Sequence, residues 1–251
     1  MGSSSPVRIP AGDIRGIHGR QAVPPRLPKG NTVLQAVMFD MDGLLVDTEP
    51  LWFQAEGAVM ARLGGSWSHA DQSALVGGSM DVTVNYLLSK ATKAAQPADI
   101  ARWLRQAMIE ELTSRPLPVL PGAVALLEEV RAAGLPHALV TSSEPEIVDA
   151  VLPRLGVAPF GVVVCAADVA RTKPDPEGYL LAAAKLGAEP RYSIALEDSP
   201  TGTAAAEAAG YRAVAVPSVM PVPAAPGRVV LTSLDGVTLA DLAALTGLSL
   251  G

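Results

Sequence analysis

Two aspartates separated by a single residue end the first apolar segment of the 251-residue chain. That segment, Val33 to Phe39, is rich in β-forming residues and too short for a typical helix, so it predicts a buried strand. Asp40 would lie at the tip of the strand and Asp42 in the following turn, at the edge where open α/β sheets bind ligands. Neighbouring carboxylates repel each other unless a cation or a shared proton joins them. The pair therefore indicates a metal or acid–base site, or else a turn in which Asp only caps the backbone.

Hydroxyl groups follow the predicted strand that ends at Val140. Thr141, Ser142 and Ser143 come directly before a helix predicted over Pro145–Gly156. Hydroxyl and amide groups ahead of a helix N-terminus form a natural site for a phosphate group. The alternative role for Ser143 is to cap the same helix.

A lysine and a second pair of acids follow two further predicted strands. Lys173 lies in a proline-punctuated turn that can direct its ammonium group inward, although an arbitrary lysine is more often solvated. Glu197 and Asp198 end the strand through Leu196, where their alternative role is to cap the helix from Pro200. Together with the first two aspartates, these acids are oxygen ligands suited to Mg²⁺. A metal site, phosphate-binding groups and a free carboxylate nucleophile are the set that phosphoryl transfer requires.

The elements that must position these residues are of two kinds. From Pro121 onward, strands alternate with helices of about ten to fifteen residues, a pattern that predicts βαβ units and a parallel sheet. Between Leu51 and Arg115 only helices are predicted, namely Leu51–Leu63, His69–Val76, Asp81–Ala95 and Ala98–Ser114. The predicted fold class is therefore α/β, a three-layer Rossmann-like parallel sheet with an inserted all-helical domain.

Four motifs, in this order along the chain, resemble those of the haloacid dehalogenase superfamily. They are Asp40-Met41-Asp42-Gly43, Thr141, Lys173-Pro174-Asp175-Pro176 and Glu197-Asp198-Ser199. The helical segment between the first two motifs resembles the C1 cap of that superfamily. Asp47-Thr48-Glu49-Pro50-Leu51-Trp52 and the segment Leu196 to Gly202 resemble most closely the branch of β-phosphoglucomutases and sugar-phosphate phosphatases.

The resemblance implies a role for each catalytic residue. Asp40 is similar to the nucleophile that becomes an aspartyl phosphate. Asp42 is similar to the general acid/base that protonates the leaving group and then activates water. Thr141 and Lys173 are similar to the groups that hold the transferred phosphoryl group, and Lys173 also orients Asp40. A second Asp two residues after the first is the phosphotransferase pattern of the superfamily and not the dehalogenase pattern.

The resemblance also implies Mg²⁺ as the cofactor. Its expected ligands are Asp40, the backbone carbonyl of Asp42, Asp198 and, directly or through water, Glu197. Gly43 is expected to leave room for the phosphoryl group and to direct its amide towards it. The other residues expected to bind phosphate or substrate are Ser142, Gly78 and Ser79, the last two at the Gly77-Gly78 turn that would form the tip of the cap.

Two positions depart from the phosphomutases of this branch. Trp52 stands where those mutases have a histidine in the hinge, and Met80 where they have a cap arginine that grips a second phosphate. The loss of both groups favours hydrolysis. The implied function is a Mg²⁺-dependent phosphatase of a small phosphate monoester, such as a sugar or polyol phosphate. The alternatives are a phosphomutase or another phosphotransferase, and a catalytically idle scaffold with a regulatory or binding role.

Three regions are expected along the chain. The composition of residues 1–30 predicts a disordered tail, residues 31–53 and 116–251 are expected to form the core domain, and residues 54–115 are expected to form the helical cap. Hinges of the cap are expected at Leu51–Gln54 and at Ser114–Leu120.

Composition argues against several other classes of protein. A net charge of −6 argues against a nucleic-acid partner. The single cysteine, Cys165, lies in an apolar run and predicts a core residue in a reducing, cytoplasmic compartment. The three histidines are scattered and show no zinc-ligand spacing. No apolar stretch is long enough to span a membrane. The expected partner is a small phosphorylated metabolite, and the expected oligomeric state is a monomer.

Overall fold

A computed structural model describes residues 32–75 and 78–251. The tail predicted over residues 1–30 lies outside these ranges, as does Gly77. Six parallel strands form one sheet in the order β3-β2-β1-β4-β5-β6. Their bounds are β1 Ala36–Phe39, β2 His137–Val140, β3 Val162–Val164, β4 Ser193–Glu197, β5 Arg212–Ala215 and β6 Val229–Val230. The predicted parallel sheet is thus confirmed, and β1 lies inside it between β2 and β4.

After β1, and as far as Ser114, the described chain forms helices joined by short loops. They are α1 Glu49–Arg62, α2 His69–Ser73, α3 Met80–Lys90 and α4 Pro97–Ser114, and together they are called the helical insertion below. These helices share a core of their own, made of Val59, Met60, Leu63, Val84, Leu87, Ile100 and Leu104. The all-helical segment of the predicted fold class is therefore present, whereas its boundaries as a separate domain stay a prediction.

The two chain segments that join the helical insertion to the sheet run side by side. Val46 and Val119 form an antiparallel bridge. Next to it, the Asp47 N–H donates to the Pro118 carbonyl at 2.8 Å. The first expected hinge, Leu51–Gln54, falls instead inside the continuous helix α1, where hydrogen bonds between successive turns resist bending. The paired segments are therefore the non-helical backbone nearest to the insertion.

Helices on both faces of the sheet complete three layers. On one face lie α5 Ala123–Ala132, α6 Pro145–Val151 and α9 Leu239–Thr246, and on the other lie α7 Glu177–Leu186 and α8 Pro200–Ala208. Because successive side chains of a strand point to opposite faces, Val37 and Phe39 of β1 join the first core, while Ala36 and Met38 join the second. Both faces are buried, which is why β1 reads as a continuous apolar run. None of the helices in the described ranges combines the length and the apolar character needed to cross a membrane.

Three helices end earlier than the sequence predicts. The predicted helix from His69 stops at Ser73, the end of α2. The predicted helix to Ala95 stops at the end of α3, because the Lys93 N–H donates to the Leu63 carbonyl at 3.0 Å and not to a helical partner. The predicted helix to Gly156 stops at the end of α6 and continues only as a short 3-10 turn. Pro153 has no N–H to continue the α-helical hydrogen-bond pattern.

Candidate active site

The predicted site residues meet at the carboxyl ends of three neighbouring strands. Strands β2, β1 and β4 are adjacent in the sheet, and Thr141, Asp40 and Asp198 directly follow them. Glu197 is the last residue of β4 and is fully buried. The loop after β3 adds Lys173. Sequence positions more than 150 residues apart are thus brought to one edge of the sheet.

Lys173 holds the carboxylates of two neighbouring strands. Its ammonium group donates to Asp40 Oδ1 at 2.6 Å and to the Val140 carbonyl at 2.8 Å, and it lies 2.5 Å from Glu197 Oε1. The Tyr179 hydroxyl donates to the same Glu197 oxygen. Burial alone lowers the pKa of Lys173, but attraction to the two carboxylates outweighs burial, so its pKa is raised overall. Lys173 therefore stays charged and fixes the orientation of the Asp40 carboxylate.

The loop that carries Lys173 is stiffened by its own acids. Glu177, at the start of α7, accepts hydrogen bonds from the backbone N–H groups of Ala170 at 2.9 Å and Arg171 at 3.1 Å. The Arg171 side chain lies 2.7 Å from the Asp175 carboxylate. These bonds tie the residues before Lys173 to those after it, so the lysine enters the site from a closed loop.

Three hydroxyl groups hold the side chain of Asp42. Thr48 Oγ1 donates to its Oδ1 at 2.8 Å. Thr141 Oγ1 and Ser143 Oγ donate to its Oδ2 at 3.2 and 2.7 Å. The sequence leaves Ser143 with an alternative role as a helix cap, but the cap position of α6 is held by Glu144. Ser143 therefore belongs to the site.

A cluster of three buried carboxylates has the composition of a metal site. Asp40, Glu197 and Asp198 each offer an oxygen that lies within 4.8 Å of the others. Glu197 Oε2 is buried and has no hydrogen-bond partner among the described residues. The Asp42 carboxylate is not part of this cluster, and hydroxyl groups donate to both of its oxygens. Its backbone carbonyl, which the resemblance implies as a ligand, stays a prediction.

Gly43 makes room for the carboxylate cluster. Its φ is +77°, a conformation that glycine adopts readily, and a β-carbon there would overlap the Asp198 carboxylate. Ser218 Oγ donates to that carboxylate at 2.6 Å. The Gly43 N–H donates to the Val46 carbonyl at 2.8 Å. Its amide therefore closes the turn and does not face the phosphoryl position, which differs from the expectation for this residue.

Without a cation, the cluster favours protonated carboxyl groups. Burial raises the pKa of Asp40 from 3.8 to about 8, and the nearby Glu197 and Asp42 charges add to the effect. Attraction to Lys173 opposes the rise but does not cancel it, because burial has the larger effect on the Asp40 pKa. Burial, and after it the Asp40 charge, raises the pKa of Asp198 to about 7. A divalent cation would relieve this repulsion, and an all-oxygen donor set is the kind that Mg²⁺ prefers, so the residues fit that ion.

These raised pKa values predict how stabilisation by Mg²⁺ depends on pH. In the folded metal-free protein, Asp40 and Asp198 keep protons that the unfolded chain has released above about pH 3.8, so stability falls as the pH rises towards about 8. Mg²⁺ displaces these protons when it binds. The increase in melting temperature on adding Mg²⁺ should therefore grow between about pH 4 and about pH 8 and then level off.

Scanning fluorimetry with and without Mg²⁺, over a series of pH values, measures this effect. Asp198→Asn is the comparison variant, because it keeps the shape of the side chain and removes one charge of the cluster. Its melting temperature should respond less to Mg²⁺ and with a weaker dependence on pH. An equal response in wild type and variant at every pH would contradict a metal site at this cluster.

A cavity of about 130 Å³ separates these residues from the helical insertion. The insertion side is lined by Glu49, Trp52, Glu56, Gln72, Leu75, Gly78, Met80 and Thr83. Residues three and four apart share one face of a helix, so Glu49, Trp52 and Glu56 present one face of α1 to the cavity. Ser142 and Gly78, both predicted to bind phosphate or substrate, line the cavity. Ser79 stands at the cap position of α3.

The cavity offers little positive charge. Among its lining residues in the described part of the chain, Lys173 is the single cation. Trp52 and Met80, which depart from the mutase pattern, both line it. Arg105 of α4 is already paired with Glu144, at 3.1 Å. Apart from Lys173, the described residues that line the cavity therefore offer no cation to a second phosphate group.

Several residues of the site were not predicted from the sequence, and four of them contact the acids or are acids themselves. Tyr179 is on the buried face of α7, and a buried tyrosine hydroxyl needs a polar partner, which is a usable signal. Glu56 could be found from Trp52 by its spacing of one helical turn. Thr48 resembles an ordinary helix cap, but its hydroxyl makes no cap hydrogen bond and donates to Asp42 instead. Ser218 lies in the loop after β5 and carries no sequence signal.

Known proteins share this fold and its motifs. The profile of a family described as haloacid dehalogenase-like hydrolase matches residues 37–216. Hexitol phosphatase B of Escherichia coli (strain K12) is 36% identical over 195 residues, which cover 73% of this chain and 83% of that protein. The family profile spans β1 to β5, the part of the sheet that carries the four motifs.

Solved structures support the same assignment. A variant of CbbY from Rhodobacter sphaeroides, in complex with xylulose-(1,5)bisphosphate, has a TM-score of 0.76 and 28% identity, covering 84% of this chain and 99% of that chain. β-Phosphoglucomutase from Clostridium difficile has a TM-score of 0.74 and 21% identity, covering 86% and 98%, and supports the fold alone. The chain therefore belongs to the haloacid dehalogenase-like hydrolases, as a phosphatase-type enzyme of the sugar-phosphate phosphatase-like branch.

Proposed function

We propose that the protein is a Mg²⁺-dependent phosphatase that hydrolyses a small sugar or polyol phosphate through an aspartyl phosphate on Asp40. The observation that carries this proposal is the placement of Asp40. Its carboxylate is held by Lys173 at 2.6 Å and lies within the three-carboxylate cluster. Among the described residues, only hydroxyl groups donate to the Asp42 carboxylate, which is not part of the cluster. This difference supports Asp40 as the nucleophile and Asp42 as the group that transfers a proton.

In the first step, a carboxylate oxygen of Asp40 forms a bond to phosphorus while the bond from phosphorus to the ester oxygen breaks. Asp42, protonated at this stage, gives its proton to the departing alcohol. Lys173 and the Thr141 hydroxyl hold oxygens of the phosphoryl group as it moves. Asp40, Asp198 and Glu197 would hold Mg²⁺, which would supply positive charge to neutralise the phosphoryl oxygens.

In the second step, water attacks the phosphorus of the aspartyl phosphate. Asp42, now ionised, takes a proton from that water, and the bond between phosphorus and the Asp40 oxygen breaks. Inorganic phosphate leaves, Asp40 is again a free carboxylate and Asp42 is again protonated. The hydroxyl groups of Thr48 and Ser143 keep the Asp42 carboxyl group in one orientation through both steps, while the single Thr141 hydroxyl proton turns from Asp42 to the phosphoryl group.

The helical insertion acts as a cap in this proposal. Residues 54–115 would form the cap domain, and residues 31–53 and 116–251 the core domain. The bridge between Val46 and Val119 pairs the two segments that connect the domains. In this proposal the paired segments bend together as a single hinge. Closure over the cavity would exclude bulk water in the first step, and reopening would release the product.

The proposed substrate class rests on the relatives and on the charge of the cavity. Hexitol phosphatase B acts, by its name, on the phosphate of a polyol. Met80 and Trp52 give the cavity no second cation, which disfavours a bisphosphate intermediate and hence a phosphomutase. A regulatory scaffold would not need Asp40, Asp42, Lys173 and Asp198 in one site.

A panel of phosphate esters tests the proposal. With Mg²⁺, the wild-type protein should release inorganic phosphate from sorbitol 6-phosphate and glucose 6-phosphate, and a chelator should abolish the release. In the presence of trace glucose 1,6-bisphosphate, β-glucose 1-phosphate should be hydrolysed to inorganic phosphate, and its isomerisation to glucose 6-phosphate should not be faster than this hydrolysis. Faster isomerisation than hydrolysis would establish the mutase, and the absence of turnover on every ester would favour the idle scaffold.

A further inference from the structure

Glu56 is a buried acid without a partner in the described part of the chain. Its exposed fraction is 4%, and no hydrogen bond from the described residues reaches its Oε2 atom. Glu49 lies two turns earlier on the same face of α1, and it does have a partner. The Gln72 side-chain amide donates to the Glu49 Oε2 atom at 3.1 Å and to the Glu49 carbonyl at 2.6 Å. Glu56 is therefore the acid of the cavity wall that still has a hydrogen bond to make.

An acid in this position is costly for the protein by itself. A buried polar group that lacks a hydrogen bond destabilises the fold, and it persists mainly where function requires it. Burial, and after it the Glu49 charge, raises the pKa of Glu56 to about 8. Glu56 can pair with a hydroxyl group in either protonation state. The carboxylate accepts the hydroxyl hydrogen, and the carboxylic acid can also donate its own proton to the hydroxyl oxygen.

The location of Glu56 points to the part of the substrate that it would meet. It lines the same cavity as Asp40 and Asp42, but from the helical insertion. The phosphoryl group belongs at Asp40, so the leaving alcohol must extend towards α1. The other polar side chains that line the cavity from the insertion are the Thr83 hydroxyl, the Gln72 amide and the Glu49 carboxylate, which the Gln72 amide already contacts.

We propose that Glu56 is a specificity-determining residue that binds a hydroxyl group of the leaving alcohol. The inference rests on the proposed phosphatase function and adds to it the group that selects a hydroxylated substrate. A second phosphate would be repelled, because Glu49 and Glu56 are acids and the cavity wall brings no cation from the insertion. An alcohol without hydroxyl groups would leave Glu56 unpaired and would lose the corresponding binding energy.

Two variants and two substrates test this role. Glu56→Leu removes the hydrogen-bonding group at similar size, and Glu56→Gln keeps an oxygen that accepts a hydroxyl hydrogen. Glu110→Gln is the matched control, an exposed acid on α4 outside the cavity. Sorbitol 6-phosphate has a hydroxylated leaving group, whereas phenyl phosphate releases an alcohol with no further hydroxyl group. The readouts are kcat/KM for each ester and the melting temperature of each variant.

The expected result is a graded and substrate-dependent loss. On sorbitol 6-phosphate, kcat/KM should fall about 10- to 100-fold in Glu56→Leu and only severalfold in Glu56→Gln. On phenyl phosphate it should change little in either variant. The melting temperature of Glu56→Leu should rise, because an apolar side chain replaces a buried acid without a partner.

Three outcomes would overturn the inference while leaving the phosphatase proposal intact. An equal loss on both esters, with a lower melting temperature, would make Glu56 a structural residue. No loss on either ester would remove it from the substrate site. Phosphoethanolamine, whose leaving alcohol carries an ammonium group, is the third comparison. If the wild-type protein prefers it, and if Glu56→Gln and Glu56→Leu abolish that preference equally, Glu56 is a site for an ammonium group. Failure of the phosphatase proposal has a different signature, since the wild-type protein would then hydrolyse neither ester.

Discussion

Replacing Asp40 with Asn should lower kcat for phosphate esters by about 10⁴- to 10⁶-fold, the scale seen when a covalent nucleophile is removed. The amide has the same shape as the carboxylate, but its oxygen is a poor nucleophile and it removes one charge from the metal cluster. No aspartyl phosphate should form. Steady-state phosphate release and acid-quenched labelling with a radioactive ester measure the two effects.

The control for this variant is Asp149→Asn on the exposed side of α6, which makes the same chemical change outside the site. It should match wild type in activity and in melting temperature. Asp40→Asn should remain folded and can even gain stability in the absence of metal, because burial in the carboxylate cluster disfavours the ionised Asp40. Turnover within tenfold of wild type would rule out Asp40 as the nucleophile.

Replacing Asp42 with Asn should lower kcat for alkyl esters by about 10²- to 10⁴-fold, the usual contribution of general acid–base catalysis. The loss should be smaller for the first step with phenyl phosphate, because that leaving group needs less help from a proton. The second step still needs a base for water. The phosphoenzyme should therefore accumulate in this variant, and rapid-quench labelling with phenyl phosphate measures it.

Thr48→Val is the companion variant for Asp42. It removes one of the three hydroxyl donors to Asp42 and leaves the carboxylate in place, so it reports on orientation and not on proton transfer. Its loss of kcat should be smaller than that of Asp42→Asn, without accumulation of phosphoenzyme. The assignment of Asp42 would be wrong if Asp42→Asn hydrolysed alkyl and phenyl esters with the same loss and accumulated no phosphoenzyme.

The strand ends made much of the site predictable. Parallel strands present their carboxyl ends at one edge, so acids after β1 and β4 and hydroxyl groups after β2 had to lie near each other. Lys173 was predictable only through its motif, since its loop could have faced solvent. The orientation of the Lys173 side chain depends on contacts such as the hydrogen bond between Glu177 and the Ala170 backbone. No sequence pattern predicts such contacts.

Contacts between distant elements account for what the sequence did not predict. Tyr179 and Ser218 reach the acids from α7 and from the loop after β5, and their pairing depends on how helices and loops pack on the sheet. The amide of Gly43 was expected at the phosphoryl group, but the turn uses it internally. To predict Glu56 as a site residue, one needs its spacing from Trp52 along α1 and the position of the helical insertion over the site. The sequence gives the spacing but not the position.

The most direct test of the account is to locate the phosphoryl group on the enzyme. Asp42→Asn is mixed with phenyl phosphate and Mg²⁺, quenched in acid, digested, and analysed by mass spectrometry with fragmentation of the peptide that contains β1. We predict a phosphate on Asp40, formed only when Mg²⁺ is present and absent from the Asp40→Asn protein. A phosphate on another side chain, or no phosphorylated peptide from Asp42→Asn although the wild-type enzyme turns over, would contradict it.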